Sequence, residues 1–132
     1  MKLRHISTCF VCGKDNPHGL HANFRIVDDR VVGEFSPKEW QEGASGLLHG
    51  GLICAVLDEA MVTLINGLMG TDAPTASLEV RFKRPARLNE KLIITAELMR
   101  EDRRIRYVRA TANTMDGALV AQGECKFLGP SR

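Results

Sequence analysis

The sequence predicts one α+β domain in which an antiparallel β-sheet curves around a single long helix. Three observations support this prediction. A nearly continuous apolar segment runs from Leu52 to Met69, two strand-like segments precede it, and four follow it. With 132 residues, 44% of them hydrophobic, the chain is long enough to bury one core, and we do not expect a second domain.

The N-terminal elements are an arm, a hairpin and a loop. The first 18 residues carry turn signals at Asn16-Pro17 and His18-Gly19 and little periodicity, so we expect an irregular arm there and the folded domain over residues 19–132. The segments LHANFRIVD and RVVGEFSP predict a hairpin that turns at Asp28-Asp29. The glycine-containing segment KEWQEGASG predicts a loop before the helix.

The central helix and the strands after it form the rest of the predicted domain. We expect the helix to run from about Gly50 to Gly67 or Gly70, because glycine suits a C-terminal cap. Four segments then have strand character, and we expect them to form an antiparallel meander: TASLEVRFKRP, KLIITAELMRED, RIRYVRATANTMD and LVAQGECKFLG. A curved sheet covers such an apolar helix only partly, so a second copy of the chain is the expected remaining cover.

Charge and hydropathy exclude several classes of protein. The helix is about long enough to span a bilayer, but two carboxylates near its middle oppose insertion, so we expect no membrane. Eighteen basic and sixteen acidic residues give a formal charge of +2, which is too weak to indicate nucleic-acid binding. The N-terminus lacks the apolar run of a signal peptide, so we expect a cytoplasmic location and reduced cysteines.

Asp58 and Glu59 are adjacent carboxylates inside the apolar segment LLHGGLICAVLDEAM. A buried carboxylate is unfavourable unless it is paired or hydrogen-bonded. Adjacent helical residues point about 100° apart, so the two cannot share one environment. Either both reach solvent at an edge of the helix, or one of them has a function. Periodicity alone does not choose between them.

The same segment, together with TASLEVRFKRPARLNEKL and DGALVAQGECKF, resembles the hotdog-fold acyl-CoA thioesterases of the PaaI-like group, from about residue 19 to residue 128. The resemblance implies a hotdog fold and hydrolysis of an acyl-CoA, or a related acyl thioester, to free acid and thiol; we expect no cofactor. In that family an HGG motif opens the central helix, and a carboxylate nine positions after its histidine is catalytic. That position is Asp58, which leaves Glu59 without an assigned role.

Thioester hydrolysis needs donors for the carbonyl oxygen as it gains charge, and a base or nucleophile. The amide N–H groups of Gly50 and Gly51 at the helix start offer such donors with no side chain in the way. We expect Asp58 to activate water or to attack the acyl carbon itself. His49 either polarises the carbonyl or closes the helix start. The resemblance also implies that Thr75, ten residues before Pro85, positions the water; its alternative role is simply to start a strand.

Three basic residues, Arg81, Lys83 and Arg84, are candidates for binding the phosphates of coenzyme A, with a solvated strand face as the alternative. One position departs from the family. Relatives carry Asn or Gln six residues before the HGG histidine, where this chain has Gly43, and Gln41 or Glu42 is the expected substitute.

The distance between the proposed donors and the carboxylate predicts a shared site. Gly50 and Asp58 are eight residues apart on one helix, roughly 12 Å, so they cannot touch the same carbonyl. In a symmetric dimer with antiparallel central helices, the helix start of one subunit approaches Asp58 of its partner. The resemblance implies the same arrangement, and we expect a homodimer or a dimer of dimers.

The arm contains Cys9-x-x-Cys12, with His5 and His18 on either side. Two Cys and two His suit zinc, but the spacing is not that of a standard finger, so we expect no metal and assign both cysteines to packing or turn formation. Cys54 and Cys125 are most simply core residues. Two other functions remain alternatives: a hotdog protein that binds an acyl thioester or aromatic ligand without hydrolysis, and a zinc-knuckle nucleic-acid protein.

Overall fold

The computed structural model describes residues 1, 3, 6–70 and 72–129 and contains one long helix and six strands. In chain order these are β1 (Asn23–Val27), β2 (Arg30–Phe35), a short 3-10 helix (Glu39–Gln41), α1 (Gly50–Met69), β3 (Thr75–Phe82), β4 (Leu92–Asp102), β5 (Ile105–Thr114) and β6 (Leu119–Leu128). The sequence predictions of one helix, an N-terminal hairpin and four later strands are confirmed.

The strands form one antiparallel sheet in the order β1-β2-β4-β5-β6-β3. Strands β4 to β6 make a meander, but β3 pairs with β6 and not with β4, so the expected four-strand meander is wrong. The connection explains the difference. Only residues 103–104 separate β4 from β5, whereas the nine residues 83–91 separate β3 from β4 and exceed an ordinary hairpin loop. Strand β4 therefore pairs with β2, and β3 becomes an edge strand with one neighbour.

The helix α1 packs across one face of this sheet. Its N-cap is His49, and its C-cap is Gly70, which has a left-handed backbone (φ 70°) and donates its N–H to the Asn66 carbonyl. By length and composition α1 could cross a membrane, but nine of its residues are buried in the fold. These buried residues are Ile53, Val56, Leu57, Ala60, Met61, Thr63, Leu64, Ile65 and Gly67.

The core lies between α1 and the alternate residues of the sheet that face it. The largest fully buried side chains on the sheet side include Phe35, Ile94 and Phe127, and on the helix side Leu57 and Leu64. Each such side chain stabilises the fold by about 1.5 to 3 kcal/mol relative to an exposed one. This packing fixes the rotation of α1, and so the directions in which its polar side chains point.

The N-terminal arm is irregular, as expected, but it is docked onto the domain. Val11 and Leu20 are buried in the core. The Leu20 amide donates to the Phe10 carbonyl (2.8 Å), and the Ala22 amide donates to the Val11 carbonyl (2.9 Å). The arm thus covers part of the domain that begins, by our prediction, at residue 19.

Candidate active site

Asp58 is half-buried in the middle of α1, and two donors from the sheet meet one of its oxygens. The Thr75 hydroxyl donates to Asp58 Oδ1 (3.2 Å), and the Cys125 thiol donates to the same atom (3.7 Å). Thr75 begins the edge strand β3, and Cys125 lies in its neighbour β6, so the β3–β6 pair places both beside the helix. Among the described residues nothing donates to Oδ2. That oxygen therefore keeps its lone pairs for water or substrate.

Cys125 was missed as a site residue by the sequence analysis, which assigned it to the core. Burial, and then the negative charge of Asp58, raise the pKa of the Cys125 thiol to about 12. At neutral pH the thiol is protonated and can donate to the carboxylate. The only sequence feature that could have indicated this role is the alternation in β6, which places Cys125 on the inward-facing side with Gly123 and Phe127.

The start of α1 shows which backbone amide is available. His49 Nδ1 accepts a hydrogen bond from the Gly51 amide (2.9 Å). A neutral imidazole that accepts at Nδ1 carries its proton on Nε2, which makes Nε2 a donor. Within the described part of the chain the Gly50 amide has no hydrogen-bond acceptor. The geometry thus favours Gly50 over Gly51 as the amide donor, and His49 both caps the helix and presents an N–H.

A cavity of about 760 Å³ opens at this helix start. Its lining includes His49, Gly50, Lys83 and Arg84, and also the apolar residues Leu47, Ile53, Phe82 and Pro85. Phe82 was not anticipated by the sequence analysis. It is the last residue of β3, it is 53% exposed despite its size, and its ring lies 3.5 Å from where a Cβ on Gly50 would be.

The three basic candidates separate into two groups. Lys83 and Arg84 line the cavity, and both amides are held by the Val120 carbonyl. Arg81 does not line it; its Nε is 3.2 Å from Glu79 Oε1, and both side chains are exposed. Lys83 and Arg84 are therefore the better placed to meet a ligand in the cavity.

Gly43 lies directly against His49. A Cβ at position 43 would be 2.9 Å from His49 Cα, closer than real contacts allow. Gln41 Oε1 accepts from the Lys38 amide (2.8 Å), and Glu42 Oε2 accepts from the Gly46 amide (2.6 Å). One acceptor oxygen of each side chain is thus engaged within the loop, while glycine at position 43 leaves space for the capping histidine.

Glu59 contacts the arm. The thiols of Cys9 and Cys12 both donate to Glu59 Oε1, at 3.4 and 3.5 Å. Burial, and then the negative charge of Glu59, raise the pKa of the Cys12 thiol. Of the two histidines considered with these cysteines, His18 is exposed and is not part of the cluster, and His5 lies outside the described residues.

The described residues of one chain thus form two separate groups. Thr75 and Cys125 surround Asp58, whereas His49, Gly50, Lys83 and Arg84 surround the cavity at the helix start. Eight helical positions, roughly 12 Å, separate Gly50 from Asp58.

Comparison with known proteins decides the family. Residues 45–121 match the model of the thioesterase superfamily. The chain belongs to this superfamily. Acyl-coenzyme A thioesterase 13 of Homo sapiens is 28% identical to it over 103 residues, which cover 76% of this chain and 74% of that protein. Acyl-coenzyme A thioesterase THEM4 of Bos taurus is 28% identical over 89 residues, and the match spans only 36% of that longer protein.

Solved structures of superfamily members confirm the predicted hotdog fold. A crystal structure of a thioesterase superfamily protein is 28% identical with a TM-score of 0.84, covering 92% of this chain and 60% of that one. A phenylacetic acid degradation-related protein from Ralstonia eutropha JMP134 is 25% identical with a TM-score of 0.74, covering 83% of this chain and 85% of that one. The resemblance to the PaaI-like group of this superfamily is confirmed as well.

Proposed function

We propose that this thioesterase-superfamily protein hydrolyses an acyl-CoA, or a related acyl thioester, to the free acid and the thiol. The observation that carries the proposal is the state of the Asp58 carboxylate. Thr75 and Cys125 hold Oδ1 and leave Oδ2 without a donor among the described residues. A carboxylate oriented through one oxygen can use the other as a base or as a nucleophile.

The substrate class rests on the relatives. Curated proteins that match most of this chain carry the name acyl-coenzyme A thioesterase. A structure of similar fold, a hypothetical thioesterase protein from Streptococcus pneumoniae TIGR4, was solved with coenzyme A. Lys83 and Arg84, at the cavity beside the helix start, supply the positive charge that phosphate groups require. Arg81, paired with Glu79, is the weaker candidate.

The proposed chemistry proceeds through a tetrahedral intermediate. Asp58 Oδ2 takes a proton from water as the water oxygen attacks the thioester carbon, or Oδ2 attacks that carbon itself. The Gly50 N–H and the His49 Nε2–H donate to the carbonyl oxygen as it becomes negative. The C–S bond then breaks. In the first route the proton held by Asp58 passes to the departing thiolate. In the second route the thiolate takes a proton from water, and a further water hydrolyses the anhydride between the acyl group and Asp58, which releases the acid and restores the carboxylate.

We propose that each site is shared between two copies of the chain, in a homodimer or a dimer of dimers. Asp58 and Gly50 of one chain are too far apart to act on one carbonyl. The edge strand β3 also exposes Leu78 and Phe82, which a second copy would cover. In this arrangement the helix start of one subunit meets Asp58 of its partner.

The test is a panel of acyl-CoA thioesters with short, long and aromatic acyl groups, assayed for free thiol. We expect at least one to be turned over, and Asp58→Asn to lose that turnover. If the wild type binds members of the panel and hydrolyses none, the protein is a binding module instead. Gly43, which replaces the family's amide side chain, is the feature that favours that second function.

A further inference from the structure

Cys9, Cys12 and Glu59 form a cluster that the proposed hydrolysis does not use. The two cysteines come from the arm, and the carboxylate comes from α1, so 47 to 50 residues of chain separate the groups. Their ligand atoms all lie within 4.8 Å of one another, and all three residues are half-buried. Cys9 and Cys12 also pack against the core, but the chemistry proposed at Asp58 does not require them to meet Glu59.

The distances match a tetrahedral metal site. Zinc binds thiolate sulfur at about 2.3 Å and carboxylate oxygen at about 2.0 to 2.2 Å, which sets neighbouring sulfur and oxygen ligands about 3.5 Å apart. Cys9 Sγ and Cys12 Sγ lie 3.4 and 3.5 Å from the same oxygen, Glu59 Oε1. Two of the three edges of one face of such a tetrahedron therefore already have the required length.

The charges of the cluster also suit a cation. Three groups that can carry negative charge meet at half-buried positions, where a divalent cation would balance that charge. In the structure the two thiols carry protons and donate to Glu59 Oε1. A divalent cation would displace these protons and be bound by the resulting thiolates.

The backbone around the cysteines is shaped to present both sulfurs. The Val11 amide donates to Cys9 Sγ (3.4 Å), an outer hydrogen bond of the kind that orients metal ligands. The Gly13 amide donates to the Cys9 carbonyl (2.9 Å) and closes the loop. A Cβ at Gly13 would lie 2.4 Å from the Cys9 nitrogen, so this loop accepts only glycine after its second cysteine.

We infer that Cys9, Cys12 and Glu59 bind a zinc-class divalent cation, which fastens the N-terminal arm to the middle of α1. From the sequence alone we expected no metal at these cysteines. That expectation depended on the spacing of histidines, whereas the third ligand comes from a residue 47 positions after Cys12. The site is one residue away from Asp58, so the cation also fixes the helix turn that carries the proposed catalytic carboxylate.

The test uses the full chain, purified under reducing conditions, stripped with a chelator and then titrated with Zn²⁺ or Co²⁺. We expect one metal per chain by elemental analysis after gel filtration. The Co²⁺ form should show a thiolate-to-cobalt charge-transfer band and the visible bands of a tetrahedral site. Zinc should raise the Tm of the wild type by at least about 5 °C.

Matched variants separate this site from ordinary thiol binding. The Cys9→Ser, Cys12→Ser double variant should abolish the charge-transfer band, and Glu59→Gln should weaken zinc binding by at least about tenfold. Cys54→Ser is the control: it removes a half-buried thiol on α1, outside the cluster, and should change neither the number of metal ions bound per chain nor the Co²⁺ spectrum. If a cysteine variant fails to fold, Glu59→Gln and the zinc-dependent Tm of the wild type still decide the question.

Three results would each overturn the inference. The first is a wild-type chain that retains no zinc and gives no charge-transfer band with Co²⁺. The second is equal metal binding by the wild type and the Cys9→Ser, Cys12→Ser double variant. The third is a Cys9–Cys12 disulfide in protein taken directly from the reducing cytoplasm of the expression host, detected as the loss of two hydrogens from the mass of the reduced chain.

Discussion

Asp58 and Glu59 are adjacent on one helix and are both half-buried, yet they belong to different parts of the molecule. Asp58 points to the sheet, where a hydroxyl and a thiol from the β3–β6 pair meet its Oδ1. Glu59 points to the arm, where two thiols meet its Oε1. The rotation of about 100° between neighbouring helical residues separates them.

The difference shows that the partner of a carboxylate, more than its burial, decides what it can do. The donors of Asp58 are a Thr and a Cys whose raised pKa keeps it protonated, so they orient the carboxylate and do not compete for its other oxygen. Glu59 accepts from a pair of thiols at ligand spacing. One arrangement suits proton transfer to or from a substrate, and the other suits a cation.

The largest expected effect is the loss of turnover when Asp58 is replaced by its amide, compared with the same replacement at Glu59. Asp58→Asn keeps the shape but removes the base or nucleophile, so kcat should fall by at least about a hundredfold. Glu59→Gln should cost less. Turnover of an acyl-CoA from the panel is the measurement, with thermal unfolding in parallel, because an inactive but stable Asp58→Asn protein is the expected pattern. Near-wild-type turnover by Asp58→Asn would remove the distinction between the two residues.

The next prediction concerns the Gly50 amide, the proposed hydrogen-bond donor to the carbonyl oxygen of the substrate. Gly50 is the first residue of α1, where proline is tolerated but lacks the N–H, so Gly50→Pro should fold and lose about a hundredfold in kcat. Gly50→Ala keeps the amide and is the control.

If the site is shared, co-expressing Gly50→Pro with Asp58→Asn should restore roughly a quarter of wild-type activity. Half of randomly mixed dimers are hybrids, and each hybrid has one intact site. Two inactive variants that stay inactive when mixed would place the whole site within one chain.

A smaller effect should follow from removing the hydroxyl that orients Asp58. Thr75→Val preserves the branched shape at the start of β3 but loses the donor at 3.2 Å, and kcat should fall by about tenfold, as for a hydrogen bond to a charged group. Thr75→Ser retains a hydroxyl and should recover most of the activity. A loss of activity in Thr75→Ser together with full activity in Thr75→Val would show that the methyl group, and not the hydrogen bond, is what matters.

The smallest effect is a pH dependence of stability from Cys125. Its pKa is raised from 9.0 to about 12 in the folded protein. The stabilisation is therefore complete below pH 9 and is lost as the pH rises from 9 towards 12, because the unfolded thiol ionises first. Relative to Cys125→Ala, the wild type should lose about 1 kcal/mol of unfolding free energy between pH 7 and pH 10, measured by urea denaturation. A constant difference would show that the thiol is not shielded beside Asp58.

Much of the fold could be predicted from local patterns. The hairpin at Asp28-Asp29, the helix from Gly50 and the four later strands all follow from hydrophobic period and turn residues, which act over a few positions. The order of the strands could not be obtained in this way. The alternation of apolar and polar residues indicates that β3 is a strand but not which strand it pairs with. Because the connection 83–91 is long, β3 could have paired with either β4 or β6.

In the candidate site, too, some features could be predicted from the sequence and others could not. The sequence by itself, through the resemblance carried by the HGG motif and the offset of nine, identified the superfamily and predicted which carboxylate to test and that the helix start is a donor. Only the tertiary structure decided that Cys125 joins Thr75 at Asp58, that Gly51 is already bound by His49, and that Glu59 meets Cys9 and Cys12. Contacts between groups 47 to 67 residues apart depend on how α1 is rotated against the sheet and the arm. That rotation is set by packing of the whole core, which no short stretch of sequence records.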